Sequence, residues 1–154
     1  MPLATPALEH VADLNVRVGT PIEIGEIPGG VRRVVSIRGG EITGPKLQGK
    51  VLADGADYQI IHPDGSVDLD ARYVIELPTG EHIYVVNTGI RNGPTEVMER
   101  LRRGEPVDPG LVYFRTAPRF ETAAPGYKWL MQHIFVASAA RFTDHVEISI
   151  FSVR

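Results

Sequence analysis

Short runs rich in Val, Ile, Tyr and Phe, separated by Gly, Pro and Asp, dominate the chain. Such runs predict strands at 11–18, 33–38, 47–53, 58–62, 69–77, 82–88, 111–116, 130–137 and 145–153. Turn signals punctuate them: Pro28-Gly29-Gly30, Gly39-Gly40, Pro63-Asp64-Gly65 and Pro78-Thr79-Gly80. The Pro-Asp-Gly and Pro-Thr-Gly turns each join neighbouring strands that should pair antiparallel. Residues 69–77 alternate cleanly, with Ala71, Tyr73, Ile75 and Leu77 opposed to Asp70, Arg72, Val74 and Glu76. By contrast, 83–88 and 130–137 are apolar on both faces.

Helical spacing occurs once. Residues 95–103 place Val97, Met98 and Leu101 on one face, with Thr95 as a cap, Glu96 and Glu99 early, arginines late and Gly104 as a stop. A helix this short must dock on the body of the protein to persist. About eight strands with one helix and no βαβ alternation make a barrel or a sandwich. Strands covered on both sides favour the mainly β reading of a closed antiparallel barrel of about eight strands. Nothing in the chain marks a linker, so residues 1–154 read as one domain.

Composition narrows the function classes. A formal net charge of −3 gives no basic face for nucleic acid, and Arg100, Arg102 and Arg103 fit the exposed side of the helix. The absence of cysteine excludes disulfides and thiolate chemistry. No apolar run approaches the roughly 20 residues of a membrane span. Residues 1–10 lack the pattern of a signal peptide, and a cytoplasmic protein is expected.

Candidate chemistry is dispersed. The five histidines, His10, His62, His82, His133 and His145, show no metal-ligand spacing. His133 differs in sharing a predicted strand face with Trp129, Met131 and Phe135, as a core histidine or a ligand contact. No glycine pair precedes a helix, and no GxSxG elbow occurs, so no cofactor is expected. Asp70 and Arg72 share a face and either pair on the surface or contribute polar groups to a lumen. In YVVNTGIR, 84–91, the strand is expected to end near Asn87 and Gly89, aiming Asn87 and Arg91 at a ligand or into a plain turn. In YFRTAPRFE, 113–121, Tyr113 and Arg115 share one face, and Pro118 is expected to break the strand before Phe120 and Glu121. With Tyr127 and Trp129 following, these residues suit either an aromatic pocket or an aromatic core.

The runs GPKLQGKVLADGADYQIIHPDGSVDLDARYVIE, YVVNTGIRNGP and YFRTAPRFETAAPGYKWLMQHIFVA together resemble the bacterial and fungal family known as domain of unknown function 3237. The resemblance runs from about Leu8 to Val153. Its motifs fall on Gly44-Pro45, Asp57, Asp70, Tyr73, Tyr84, Gly89, Tyr113, Pro118, Phe120-Glu121, Tyr127 and Trp129-Leu130. Met131 stands where that family commonly has Asn, and Ala139 where Gly is usual. The resemblance implies an eight-stranded barrel similar to allene oxide cyclase and dirigent proteins, often oligomeric, with relatives implicated in cofactor-free ring closure.

Together with the residue types and strand faces above, it suggests roles for the candidate residues. Asp57 would sit at a strand start near the barrel mouth, as a base or ligand anchor, or as a turn-fixing acceptor. Asp57, Asp70 or Glu121 would transfer a proton, while Arg72, Tyr84 or Arg115 would stabilise developing negative charge. Asn87, Arg91, Tyr113, Phe120, Trp129 and His133 would complete the binding surface. The expected partners are a small hydrophobic, aromatic or phenolic metabolite and further copies of the chain, in a dimer or trimer. A non-catalytic metabolite carrier and a structural subunit with a filled barrel are the competing readings.

Overall fold

The computed structural model describes all 154 residues and contains ten strands in one antiparallel sheet. In chain order they are β1 (Leu8–Val18), β2 (Ile22–Ile27), β3 (Gly30–Thr43), β4 (Gly49–Val51), β5 (Gly55–Ile61), β6 (Val67–Glu76), β7 (His82–Asn92), β8 (Tyr113–Thr122), β9 (Phe135–Arg141) and β10 (His145–Val153). Pairing of β1 with both β10 and β3 closes the sheet into an eight-stave barrel. β4 and β5 share one stave between β3 and β6, joined by a turn in which Asp54 takes a positive φ of 78°. β2 lies outside the ring, paired to the first part of β3. Closure leaves the ring without a free edge.

Period-two alternation sets the lumen. On β7, Ile83, Val85, Asn87 and Arg91 are buried while His82, Tyr84, Thr88 and Ile90 are exposed. On β8, Phe114, Thr116, Pro118 and Phe120 point inward and Tyr113, Arg115, Ala117, Arg119 and Glu121 outward. The larger apolar core includes Val11, Leu47, Tyr73, Ile75, Ile83, Val85, Phe120, Leu130 and Phe135. Phe120 and Phe135 meet edge to face at 5.1 Å between ring centres. A smaller core, Ile61, Val67, Leu69, Met98 and Phe114, lies toward helix α1 (Thr95–Arg102). Burial of Met98 docks this short helix across that end of the barrel, as its length requires.

Several sequence expectations give way. Gly39-Gly40 is no turn: β3 runs through it, because a Cβ at Gly40 would lie 2.3 Å from the Asn15 carbonyl and only glycine admits β1 so close. β7 does not end at Asn87 but continues to Asn92, and a Cβ at Gly89 would likewise lie 2.3 Å from the Arg115 carbonyl. Pro118 does not break β8. It pairs with Asn87 on β7, and β9 pairs with β8 only at Arg115 and Thr116, so the missing N–H falls beyond the β8–β9 ladder. The strand expected at 130–137 begins only at Phe135, since a 3-10 segment opened by Pro125 occupies 125–131. Exposed β2, whose apolar residues cover no core, escaped the strand pattern altogether. No helix is long and apolar enough to cross a membrane.

Candidate functional site

Between the two apolar cores the lumen changes character. Asp57, Gln59, Tyr73, Asn87, Arg91, Thr116 and Arg141 line a chamber of about 50 Å³, together with Val16, Ile37, Leu69, Ala71 and Phe114. Gln59, Asn87, Arg91 and Thr116 are all less than a tenth exposed. Gln59 Oε1, the Tyr73 hydroxyl, Asn87 Oδ1, Arg91 Nε and Thr116 Oγ1 are buried without a hydrogen-bond partner in the protein. Unpaired buried polar atoms cost free energy, on the order of 1–3 kcal/mol each. Five around one chamber are a concentration that a merely structural core avoids.

Asp57 owes its place to a lapse in strand pairing. β5 and β6 are in register at Asp57–Ala71 and again at Ile60–Asp68, with no pairs between. Into that gap the Asp57 carboxylate reaches, accepting the Asp70 amide at 3.0 Å and Gln59 Nε2–H at 2.8 Å. Asp57 therefore lies within the barrel wall, two residues past the strand start. Burial pushes its pKa up; the Gln59 bond, the charges of Arg91 and Arg141 and the Asp70 amide oppose this only in part.

Around it stand three guanidinium groups. Burial brings Arg91 down to about 10, and neighbouring Arg141 pushes in the same direction. Arg91 lies over the Phe114 ring at 5.4 Å. Arg141 donates through Nε to the Phe142 carbonyl at 2.7 Å, and burial lowers its pKa as well. Arg33, 4% exposed, approaches Glu23 at 3.4 Å, yet its Nε and Nη1 make no hydrogen bond. Burial raises the Tyr73 hydroxyl above the ordinary tyrosine range, so it remains a neutral donor.

Two further spaces each share one wall residue with the chamber. Arg91 also borders a space of about 130 Å³ beneath α1, walled by Arg33, His62, Met98 and Arg102. Arg141 also borders a cleft of about 470 Å³ between residues 101–108 and the 141–144 turn.

Of the residues singled out from the sequence, Asp57, Asn87 and Arg91 meet at this chamber. Asp70 and Arg72 pair with each other on the outer face, at 3.2 and 3.3 Å. Tyr84 and Glu121 also point outward, and Tyr113 and Arg115 stack on each other outside the barrel at 5.5 Å. Phe120 and Trp129 pack in or against the large core. His133 is exposed on the outside, its Nδ1 2.9 Å from the Trp129 carbonyl, because 125–131 is a 3-10 segment rather than part of a strand. The sequence reading missed Arg33, Gln59, Thr116 and Arg141 and gave Tyr73 no role at the site. No three His, Asp or Glu side chains converge as a metal-ligand set.

The family described as Protein of unknown function (DUF3237) matches residues 6–153. The chain belongs to this family. A UPF0311 protein of Rhodopseudomonas palustris is 51% identical over 151 residues, covering 97% of this chain and 99% of its own. The crystal structure of a conserved protein of unknown function from the same species superimposes with a TM-score of 0.93 at 47% identity, covering 99% of this chain and 100% of that one. A beta-barrel like protein from Acinetobacter baumannii gives 0.87 at 34% identity, covering 99% of each chain. The DUF3237 chain thus shares its barrel with relatives that carry no assigned activity in their names.

Proposed function

We propose that this DUF3237 barrel binds a small metabolite in the chamber and that Asp57 moves a proton on it without a cofactor, the chemistry of an isomerase, cyclase or lyase. One observation carries the reading: a carboxylate with raised proton affinity faces a chamber ringed by buried polar atoms without protein partners, the donors of Tyr73, Arg91 and Thr116 among them. The ionised Asp57 would take a proton from an acidic C–H or O–H of the substrate and return it at another atom. The Arg91 Nε–H, Tyr73 O–H and Thr116 O–H would stabilise the oxyanion formed meanwhile. They are held by barrel strands, so little reorganisation is needed as charge develops.

A non-catalytic carrier is the second reading. Its support is that both Asp57 oxygens already accept hydrogen bonds, which suits a carboxylate that fixes the β5–β6 gap. Incubation in D₂O with a panel of small aliphatic ketones, enones and hydroxy-enones separates the two. Asp57-dependent deuterium uptake or ring closure, lost in Asp57→Asn, is expected. Binding of panel members without turnover overturns the catalytic reading in favour of the carrier.

Assembly into a homo-oligomer belongs to the same proposal. Its support is the exposed apolar surface of Ile90, Tyr113, Met131 and Ile134. Sedimentation at micromolar concentration tests it, and a monomer would remove it.

A further inference from the structure

We propose that Arg91 and Arg141 dock the carboxylate headgroup of a small organic monoacid, whose body lies in the cleft between residues 101–108 and 141–144. This rests on reading the chamber as a small-molecule site, and it names the ligand class.

Charge balance comes first. Arg33 has Glu23, on β2 outside the ring, as an ion-pair partner at 3.4 Å. That leaves Arg91 and Arg141 facing Asp57, whose oxygens are engaged by the Gln59 side chain and the Asp70 amide. Two guanidinium groups against one carboxylate leave an excess of positive charge at the chamber, where Arg91 is 4% exposed and Arg141 is half-buried. Burying such a charge unpaired is costly, and a monoanion between the two forks would relieve it. Guanidinium is suited to carboxylate because it offers parallel N–H donors in one plane.

Hydrogen bonding points the same way. Arg91 Nε, the Tyr73 hydroxyl and Thr116 Oγ1 can all donate, all lack partners, and all line the chamber. A carboxylate accepts several hydrogen bonds at once and would satisfy donors that the protein leaves open.

Size then fixes the ligand's layout. The chamber, about 50 Å³, is well below the ~150 Å³ that admits a benzene ring. A headgroup fits, but a whole aromatic metabolite does not. The cleft of about 470 Å³, which also has Arg141 in its wall, offers Leu101, Pro106, Val107 and Phe142 to the carbon chain beside Glu105, Asp108 and Asp144, whose charges keep an acid headgroup on the arginine side. Arg141 lines both spaces and stands where headgroup and body would join.

Titration of the intact protein with hexanoate, hexanamide and inorganic phosphate at constant ionic strength tests this, read by the NMR signals of the Arg91 and Arg141 Nε–H groups. Hexanoate should shift both signals saturably and bind at least tenfold more tightly than hexanamide. Arg141→Gln should weaken hexanoate at least tenfold, whereas Arg115→Gln, on the outer face, should leave it unchanged. Equal binding of hexanamide overturns the proposal, as does an equal loss in Arg115→Gln. Binding of phosphate in preference to hexanoate overturns the carboxylate assignment. Selective hexanoate binding combined with no Asp57-dependent chemistry would remove the catalytic reading alone and leave this one standing.

Discussion

At one end of the barrel, Ile75, Ile83, Val85, Phe120 and Leu130 fill the lumen with side chains no more than 4% exposed. Further along the same strands, the inward positions of β7 and β8 hold Asn87, Arg91 and Thr116. On β7 and β8 the inward alternation runs unbroken through both regions, so there the difference lies in which side chains occupy the inward phase. On β5 and β6 the polar region also has the pairing gap that admits Asp57. The filled end returns free energy through apolar burial, about 1.5–3 kcal/mol for each large side chain. The polar end costs free energy through desolvated charges and unpaired atoms. A fold keeps such a region where something other than stability is selected.

Substitutions at the two ends should therefore differ in sign. The largest loss is expected at the filled end, where Phe120→Ala removes the edge-to-face partner of Phe135 and opens a cavity. About 3–5 kcal/mol should disappear from the unfolding free energy, measured by urea denaturation. Gly89→Ala comes next. Its Cβ would fall 2.3 Å from the Arg115 carbonyl, forcing β7 and β8 apart where they border the chamber. A loss of roughly 1–3 kcal/mol is expected from the same measurement.

Smaller and pH-dependent is Asp57→Asn. Because the Asp57 pKa is raised in the folded protein, its burial favours the protonated form. Its contribution is fully present below the unfolded carboxylate pKa and is lost as pH rises through the folded value. The Asn variant, which cannot ionise, should match the native protein at low pH and gain on it as pH rises through that range. A gap independent of pH would show that the charge of Asp57 is not what the site strains against. The smallest effect is expected outside the barrel, where Asp70→Ala breaks the exposed pair with Arg72 and should leave the urea midpoint unchanged.

The contrast between the two ends also explains what could be read from the chain. A mainly β architecture was legible because turn residues and β-rich runs repeat along most of the chain, whereas its closure was read from runs apolar on both faces and from the family resemblance. Alternation within 69–77 already set Asp70 and Arg72 opposite Tyr73 and Ile75, and the structure puts them outside accordingly. The better signal for the chamber was a polar residue in the phase of an apolar face: Gln59 before Ile61, Thr116 between Phe114 and Phe120, Arg33 before Val35 and Ile37. Arg141 follows Phe135, Ala137 and Ala139 in the same way. Asp57 and Arg91 were noticed for their neighbourhood in turns, yet both belong to this class. What no local pattern could supply is convergence, since these residues come from strands β3, β5, β7, β8 and β9 and meet only when the barrel closes.

The central claim is that the polar end is maintained at the expense of stability. Urea unfolding of Arg91→Met at pH 7 tests it most directly, since methionine keeps the contact with Phe114 and removes the unpartnered charge. The account predicts a higher midpoint with an unchanged m-value, a gain of about 1–2 kcal/mol. A fall comparable to that of Phe120→Ala would contradict it and make Arg91 part of the fold's own framework.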